Sequence, residues 1–570
     1  MAIIGIDLGT TNSLACVWHE GKCVLIPNAF GEVFTPSAVS VNDDGSMSVG
    51  KAAKERLISH PDSTVASFKR FMGTGKQFFL QKKHFSAPEL SSFVLRKLKD
   101  DAEVWLNEEV SEAIISVPAY FNDSQRAATK LAGSLAGVNV ERLVNEPSAA
   151  ALAYRSQNQK KDGCFIVFDF GGGTLDVSVV ECFENIVEII SVAGSNRLGG
   201  DDFDHIIANE FCNENKLNFD ELSPTERSII LKGAAQCKLN LSSAPIGKMH
   251  VDLPGLRGAL DITNETLARQ SSEILVGIRN VMERALKDCG KNVDEIDQVI
   301  LVGGSCNMPL VQQYVKKLMR DYSERITPFV NMPSPDAVVA VGVGVYAGIK
   351  ERGSEIRDML LTDICPFTLG IGTHNRSDHS RLFMSPIIER NTTLPSSRVN
   401  RYYTVYDNQT EIECMIYQGE EMHADNNILL GNLKIKVPPA PAGAESVDIR
   451  FTYDINGLLD VEIESVSTKK KVSKAIINKE YGLSDNDIKQ KRKKLAVLKV
   501  DPFDVDEIRF LVARAERLYV EIAGFQREVL ISRLLRFQEI VSGNKRIAIQ
   551  KELVLFAGFL DDMEASLLIL

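Results

Sequence analysis

Through the first ~350 residues, short apolar runs alternate with stretches in which apolar positions recur every three or four residues. Ala2–Ile6, Ala113–Val117, Phe165–Phe168, Val177–Val180, Val187–Val192 and Val299–Val302 read as strands. Ser124–Ala136, Asp201–Asn213 and Asn264–Cys289 read as amphipathic helices. That alternation predicts an α/β architecture. Near residue 350 the texture changes. Glu351 to Glu355 is polar, then Met359-Leu360-Leu361 makes an apolar knot between Asp358 and Asp363. A plain spacer would be polar, so the knot is expected to dock somewhere. From Asp363 to Lys479, alternating strands such as Glu411–Tyr417 and Ser446–Tyr453 are punctuated by turns and predict an antiparallel sandwich. Ser484 to Asp487 reads as a helix N-cap region, and Ile508, Leu511, Val512, Ala515, Leu518, Tyr519 and Ile522 trace one buried helix face. The expected division is 1–354, a linker at 355–363, a sandwich at 364–483 and a helical tail at 484–570.

Composition narrows the function classes. A chain of 570 residues with 44% hydrophobic and 25% charged residues is long enough for several buried cores. Lys+Arg 65 against Asp+Glu 76 gives a net charge of -11, a poor match to the basic stripes that non-specific nucleic-acid binding needs. The longest apolar run, Ala337 to Ile349, falls short of the ~20 residues that cross a bilayer, so no membrane span is expected. The 10 cysteines include no CxxC pair, which argues against a zinc or dithiol site. Free cysteines and an N-terminus without a basic, then apolar, leader favour the cytoplasm.

Chemistry enters with a weak internal repeat. Ile4-Gly5-Ile6-Asp7-Leu8-Gly9-Thr10-Thr11 parallels Val167-Phe168-Asp169-Phe170-Gly171-Gly172-Gly173-Thr174. In each, a strand delivers an aspartate to a glycine turn whose N–H groups and hydroxyls can wrap phosphate oxygens, while the carboxylate holds Mg²⁺ through water. Further glycine turns stand at Gly199-Gly200-Asp201 and Gly303-Gly304-Ser305. Any one resembles an ordinary connection; two aspartate-led turns can bracket a polyphosphate.

Gly5 to Ser13, Val117-Pro118-Ala119-Tyr120-Phe121, Asn145-Glu146-Pro147, Asp169 to Asp176 and Gly199 to Asp204, in that order and spacing, resemble the seventy-kilodalton heat-shock chaperone family of the DnaK type. The resemblance covers essentially the whole chain. It implies an actin-like α/β ATPase domain, then an antiparallel β-sandwich for peptide binding, then a short α-helical lid. Gly9, Thr10, Thr11, Asn12, Gly171, Gly172, Gly173, Gly199, Gly200, Asp201, Gly303, Gly304, Ser305 and Asp336 would contact ATP or ADP. Asp7 and Asp169 would hold the water shell of Mg²⁺, with K⁺ as a further candidate ion. Lys69, Glu146, Thr174 and Asp176 would form the hydrolytic set; phosphoryl transfer needs positioning and charge neutralisation more than a strong nucleophile. Lys238 and Ser242 match positions against ribose and adenine. Two departures point to weaker nucleotide binding: Ala235 stands where the family has a glutamate, and Asn307 where it has an arginine that stacks on adenine. After Phe71-Met72-Gly73 the chain reaches the Leu90–Trp105 helix quickly. One corner is therefore expected to be trimmed, leaving the need for an exchange factor open.

The same resemblance assigns Pro118 and Arg126 to passing the nucleotide signal outward, and Arg142, Asn145 and Asp363 to a J-domain co-chaperone. Ile371, Thr373, Tyr402, Ile412, Cys414 and Leu458 match the groove for extended client peptides, with His374 and Val405 in the arch above it. Ile412 and Cys414 also fit plain sandwich packing. The 87-residue tail should give a short lid and fast peptide release. Two rivals share parts of this pattern: a sugar-kinase-like phosphotransferase on the same fold, which needs no sandwich, and a non-hydrolysing exchange factor or actin-like scaffold, which needs no Lys69, Glu146, Thr174 or Asp176.

Overall fold

The computed structural model describes residues 2–157, 162–184, 186–253, 256–319, 326–327, 335–350, 360–375, 378–455, 457, 459–476, 490, 503–522, 525–542 and 546–569. Leu458, Met359, the proposed cap at 484–487 and the polar stretch from Glu351 to Glu355 lie outside them.

The repeat seen in sequence is a repeat of sheets. Ala2–Asp7, Asn12–His19 and Lys22–Ile26 form an antiparallel meander, and Val110–Val117 then Asn139–Asn145 add in parallel beside Ala2–Asp7. Gly163–Phe170, Leu175–Phe183 and Ile186–Ser195 repeat that meander, with Gln298–Val302 and Ile326–Thr327 adding in parallel beside Gly163–Phe170. The shared strand order places Asp7 and Asp169 at corresponding strand ends. Parallel neighbours bury both faces of a strand, which explains runs such as Ala113–Val117 with no polar alternation.

Helices cover the sheets, and their ends follow local chemistry. Asp123–Ala136 starts on a reciprocal Asn122–Gln125 capping box and stops at Gly137, where φ is 86°. The expected helix over Asn264–Cys289 is broken: it divides into Asn264–Gln270 and Ser272–Cys289. Ser271 turns its hydroxyl back to the Leu267 carbonyl at 2.6 Å, so a side chain competes with the ladder there. The stretch after Gly73 is not bare: Gln77–Leu80 and Lys83–Ser86 form a small hairpin before the Ala87–Leu106 helix.

The sandwich is present as two four-stranded antiparallel sheets. One runs Asp378–Ile388, Leu369–Asn375, Glu411–Gln418, Ile428–Lys436; the other runs Ser396–Tyr403, Ser446–Tyr453, Leu459–Ser465, Lys471–Ile476. Ile371, Ile412, Cys414 and Ile416 from the first meet Val447, Ile449, Phe451 and Val461 from the second in one core.

The apolar knot does dock. Leu360–Thr362 adds as a parallel edge strand to Ile186–Ser195, pairing Ile186 with Leu360 and Glu188 with Thr362. The tail, expected over the sandwich, rests instead on the first part of the chain. Phe503–Glu521 packs on the Lys51–Ser59 helix, where Glu516 meets Arg56 at 3.2 Å, Arg517 pairs with Glu55, and Phe510 sets its edge on Phe30. Its last residue, Glu521, reaches Lys232 of the Pro224–Asn240 helix. The predicted face of Phe503–Glu521 is buried at Leu511, Ala515 and Leu518, while Tyr519 faces outward. Phe525–Ser542 and Arg546–Ile569 fold back on it around Phe537 and Phe556, stacked 4.4 Å apart. Phe556→Ala is expected to cost about 3–5 kcal/mol. Hydrogen exchange should show faster exchange confined to 503–569 with the two large sheets unaffected.

Candidate functional site

Asp7 closes the Ala2–Asp7 strand, and the chain then turns at Gly9 so tightly that a Cβ there would meet the Asn12 carbonyl at 2.0 Å. Asp169 sits across the Gly163–Phe170/Leu175–Phe183 hairpin from Asp176, its register partner. Lys69 rides a short turn, Phe68–Phe71, and Glu146 begins the helix Glu146–Gln157. Both are buried, and the Lys69 amine donates to Glu146 at 2.8 Å, with the Phe121 ring 5.6 Å away.

Four carboxylates thus share one buried neighbourhood with this lysine. Burial, then Glu146, push Asp7 up to about 7, against the pull of Lys69 and of Ser116, whose hydroxyl donates to it at 2.6 Å. Burial, then Glu146, push Asp176 up to about 8. Asp169 is driven well above the carboxylate range by burial, Glu146, Asp176 and Asp7. One Asp176 carboxylate oxygen is buried with no hydrogen-bond partner. Such crowding is what a divalent cation relieves, and this donor set fits Mg²⁺. Among the described residues no three such side chains are arranged to ligate one ion directly.

The glycine turns converge on this cluster. The Gly200 and Asp201 amides donate to the Gly171 and Gly172 carbonyls at 3.0 and 2.8 Å, and Ser305 donates to Gly171 at 2.8 Å. The Asp336 carboxylate lies against Gly304. Thr10, Lys69 and Thr174 line one narrow cavity together with Arg70, Phe121, Gln125 and Asn196. Lys238 points to the same turns, donating to the Gly200 carbonyl and pairing with Asp204, each at 2.8 Å. Ser242 and Asn307 are exposed, and Ala235 is half-buried on the Pro224–Asn240 helix. Asn12, half-buried, opens the strand after the first turn.

Residues that the motif pattern did not single out also serve this geometry. Ser116 binds Asp7, Asp204 neutralises Lys238, and Arg70 crosses to Gly172. Arg70 left a local trace as the cation beside Lys69, and Asp204 closes the motif at Gly199 to Asp204; Ser116 left none.

A hydrogen-bonded chain runs outward from Glu146. Its neighbour Asn145 accepts from Arg126 at 2.6 Å and donates to Asp363 at 2.7 Å. Arg126 also donates to the Ala119 and Phe121 carbonyls, and Pro118 accepts from the Phe121 amide. Asn145 and Asp363 are buried here, facing each other, while half-buried Arg142 stacks on Tyr346. One helical turn away, Asp123 accepts from Tyr453 at 2.9 Å and Gln418 at 3.4 Å, tying the sandwich to the first part. Arg390 pairs with Asp288 at 2.5 Å beside it.

In the sandwich, Ile371, Ile412 and Cys414 lie in the inter-sheet core, with Tyr402 packed against it and bonded to Ser385 at 3.0 Å. Thr373 is half-buried; His374 and Val405 are exposed. Tyr403 and Tyr406, on either side of Val405 in sequence, are also exposed. A family model described as Hsp70 protein matches residues 3–83 and 74–518.

Proposed function

The chain belongs to the Hsp70 family, and we propose that it is an ATP-dependent chaperone held here with its sandwich and linker docked on the nucleotide-binding part. Family members are ATPases that bind ATP or ADP with Mg²⁺ and act on client polypeptides. The observation that carries the reading for this chain is the unbroken line Lys69–Glu146, Asn145, Arg126 and Asp363, which joins the buried acidic cluster at the glycine turns to the docked linker.

In this reading Gly9, Thr10, Thr11 and the turn at 171–173 grip the phosphates, and Lys238 holds the second turn in place for the sugar side. Asp7 and Asp169 face the ion; when bound, Mg²⁺ neutralises phosphate charge and orients the terminal phosphoryl group. Lys69 offsets charge as it develops, while Glu146, Thr174 and Asp176 position water. A change at the phosphates reaches Asn145 through its bonded neighbour Glu146, loosens Arg126 and Asp363, and frees the linker strand. Released from Asp123, the sandwich closes on an extended apolar peptide at Thr373 and Tyr402, beneath His374 and Val405. A J-domain acts at Arg142 beside that junction. K⁺ and a role in stress response belong to the same proposal. The motifs of the chain resemble those of the specialised bacterial member HscC. No helix among the described residues is long and apolar enough to cross a membrane, and the cytoplasm is the proposed setting.

The test is phosphate release with and without an unfolded peptide and a J-domain. Stimulation by both supports a chaperone; stimulation by a sugar instead, with product phosphorylation, would replace it with a kinase. Within this reading, Asn307→Arg should tighten ATP binding about fivefold, because a guanidinium over an aromatic base contributes about 1 kcal/mol. Calorimetric titration of both proteins reads the difference directly.

A further inference from the structure

The turn that carries Lys69 also carries Arg70, whose guanidinium crosses from the first sheet's side of the site to the second's. Its terminal nitrogen donates to the Gly172 carbonyl at 3.0 Å and lies 3.8 Å from Asp201 and 3.6 Å from Asp202. Ser67, three residues earlier, reaches the same Asp201 at 3.4 Å. The Arg70 Nε is different: it is buried and has no hydrogen-bond partner.

That nitrogen occupies a specific place. A Cβ built on Gly173 would fall 2.5 Å from Nε and 3.1 Å from the Thr10 methyl. Glycine at the third position of the turn thus leaves the room that the Arg70 side chain fills. Arg70 also walls the narrow cavity shared by Thr10, Lys69 and Thr174. A buried donor left without an acceptor is destabilising. An anionic oxygen entering the cradle from the Thr10 side removes that cost and gains a charge-assisted bond.

We infer that Arg70 is a second phosphate-binding cation beside Lys69, latching the turn at 171–173 against Thr10 and offering Nε to the terminal phosphate of a nucleoside triphosphate. The inference rests on the nucleotide-binding reading above and adds a residue to it. Its grip on Gly172, Asp201 and Asp202 positions the turn; its Nε distinguishes a triphosphate from a diphosphate.

Stopped-flow release of ATP and of ADP from the full chain, wild type against Arg70→Ala, tests it, with melting of the nucleotide-free proteins as the fold control. ATP should leave the variant about tenfold faster, the loss expected for one charge-assisted bond, while ADP release changes far less. Should Arg70→Ala fail to fold, Arg70→Lys makes the same comparison, since it keeps the charge facing Asp201 and Asp202 and lacks Nε. Equal acceleration of both nucleotides, or none, would overturn the inference while leaving nucleotide binding intact. A wild-type titration flat for both nucleotides would overturn the nucleotide reading and this inference with it.

Discussion

Lys69→Ala is expected to lower single-turnover ATP hydrolysis by about 10²–10³-fold, the usual loss when one preorganised charge stabiliser is removed. The size follows from the surroundings. Lys69 is buried against Glu146, and Asp7, Asp169 and Asp176 are all held above the usual carboxylate range by burial and then by Glu146. In such a site each charge acts through little solvent, so its removal is felt nearly in full. ATP affinity should fall much less, because the glycine turns and Lys238 do not depend on Lys69 for their bonds. Rapid quench under single-turnover conditions separates the two effects. A rate within about threefold of wild type, with ATP bound, would remove Lys69 from the transition state. The variant also leaves Glu146 buried without its cation, and breaking such a pair costs about 3–5 kcal/mol. Measurements therefore belong at a temperature where the variant is folded, and Lys69→Met, which keeps the apolar stem over Phe121, serves as the check on packing.

What local sequence could show and what it could not divide along the range of the interactions. The Asp7 and Asp169 turns were legible because a strand, an aspartate and a glycine turn are contiguous, and the common strand order of the two sheets follows from that repetition. The sandwich was legible through period-two alternation in Glu411–Gln418 and Ser446–Tyr453. The docking of Leu360 and Leu361 was legible as a need, since apolar side chains in a spacer require cover, yet nothing in those residues names Ile186–Ser195 as the strand they join. Ile412 and Cys414 could be groove or core because alternation points both inward, and both are core here. The seat of the tail was not legible at all. Its buried face is periodic, but the contacts that place it, Glu516 to Arg56 and Arg517 to Glu55, use charges that read as an ordinary solvated face. Ser116 was invisible and the role of Asp204 unreadable for the same reason: each acquires its role from a partner far away in sequence.

Docking of the sandwich should tighten about tenfold between pH 7 and pH 5, and Asp123→Asn should abolish that dependence. Asp123 is buried between the Asp123–Ala136 helix and the sandwich, where burial raises its carboxyl from 3.8 to about 6. The Tyr453 hydroxyl, Arg126 and Gln418 favour the ionised form, Asp454 opposes it, and the Cys365 thiol lies nearby. Undocked, the carboxyl returns to water and to its ordinary value. Between the two values the docked state binds more protons than the undocked one, so falling pH drives docking; above both, the equilibrium is flat in pH. At pH 7 the docked state carries an ionised, buried carboxylate with one oxygen lacking a partner, a penalty of up to about 3 kcal/mol from a shift of about two units. Asparagine keeps an oxygen for Tyr453 and Gln418 and has no charge to bury, so Asp123→Asn should hold the sandwich docked at neutral pH. Fluorescence transfer between a donor on the first part and an acceptor on the sandwich measures this across the pH range. The Asp123→Asn chain should show the docked signal throughout and slower capture of peptide. Tyr453→Phe should act oppositely, since it strips the carboxylate of its 2.9 Å donor and leaves the charge. A wild-type signal unchanged from pH 7 to pH 5 would mean that Asp123 does not titrate with docking, and that other contacts, among them those of Arg390, the linker strand and Tyr120 with Phe367, decide where the sandwich sits.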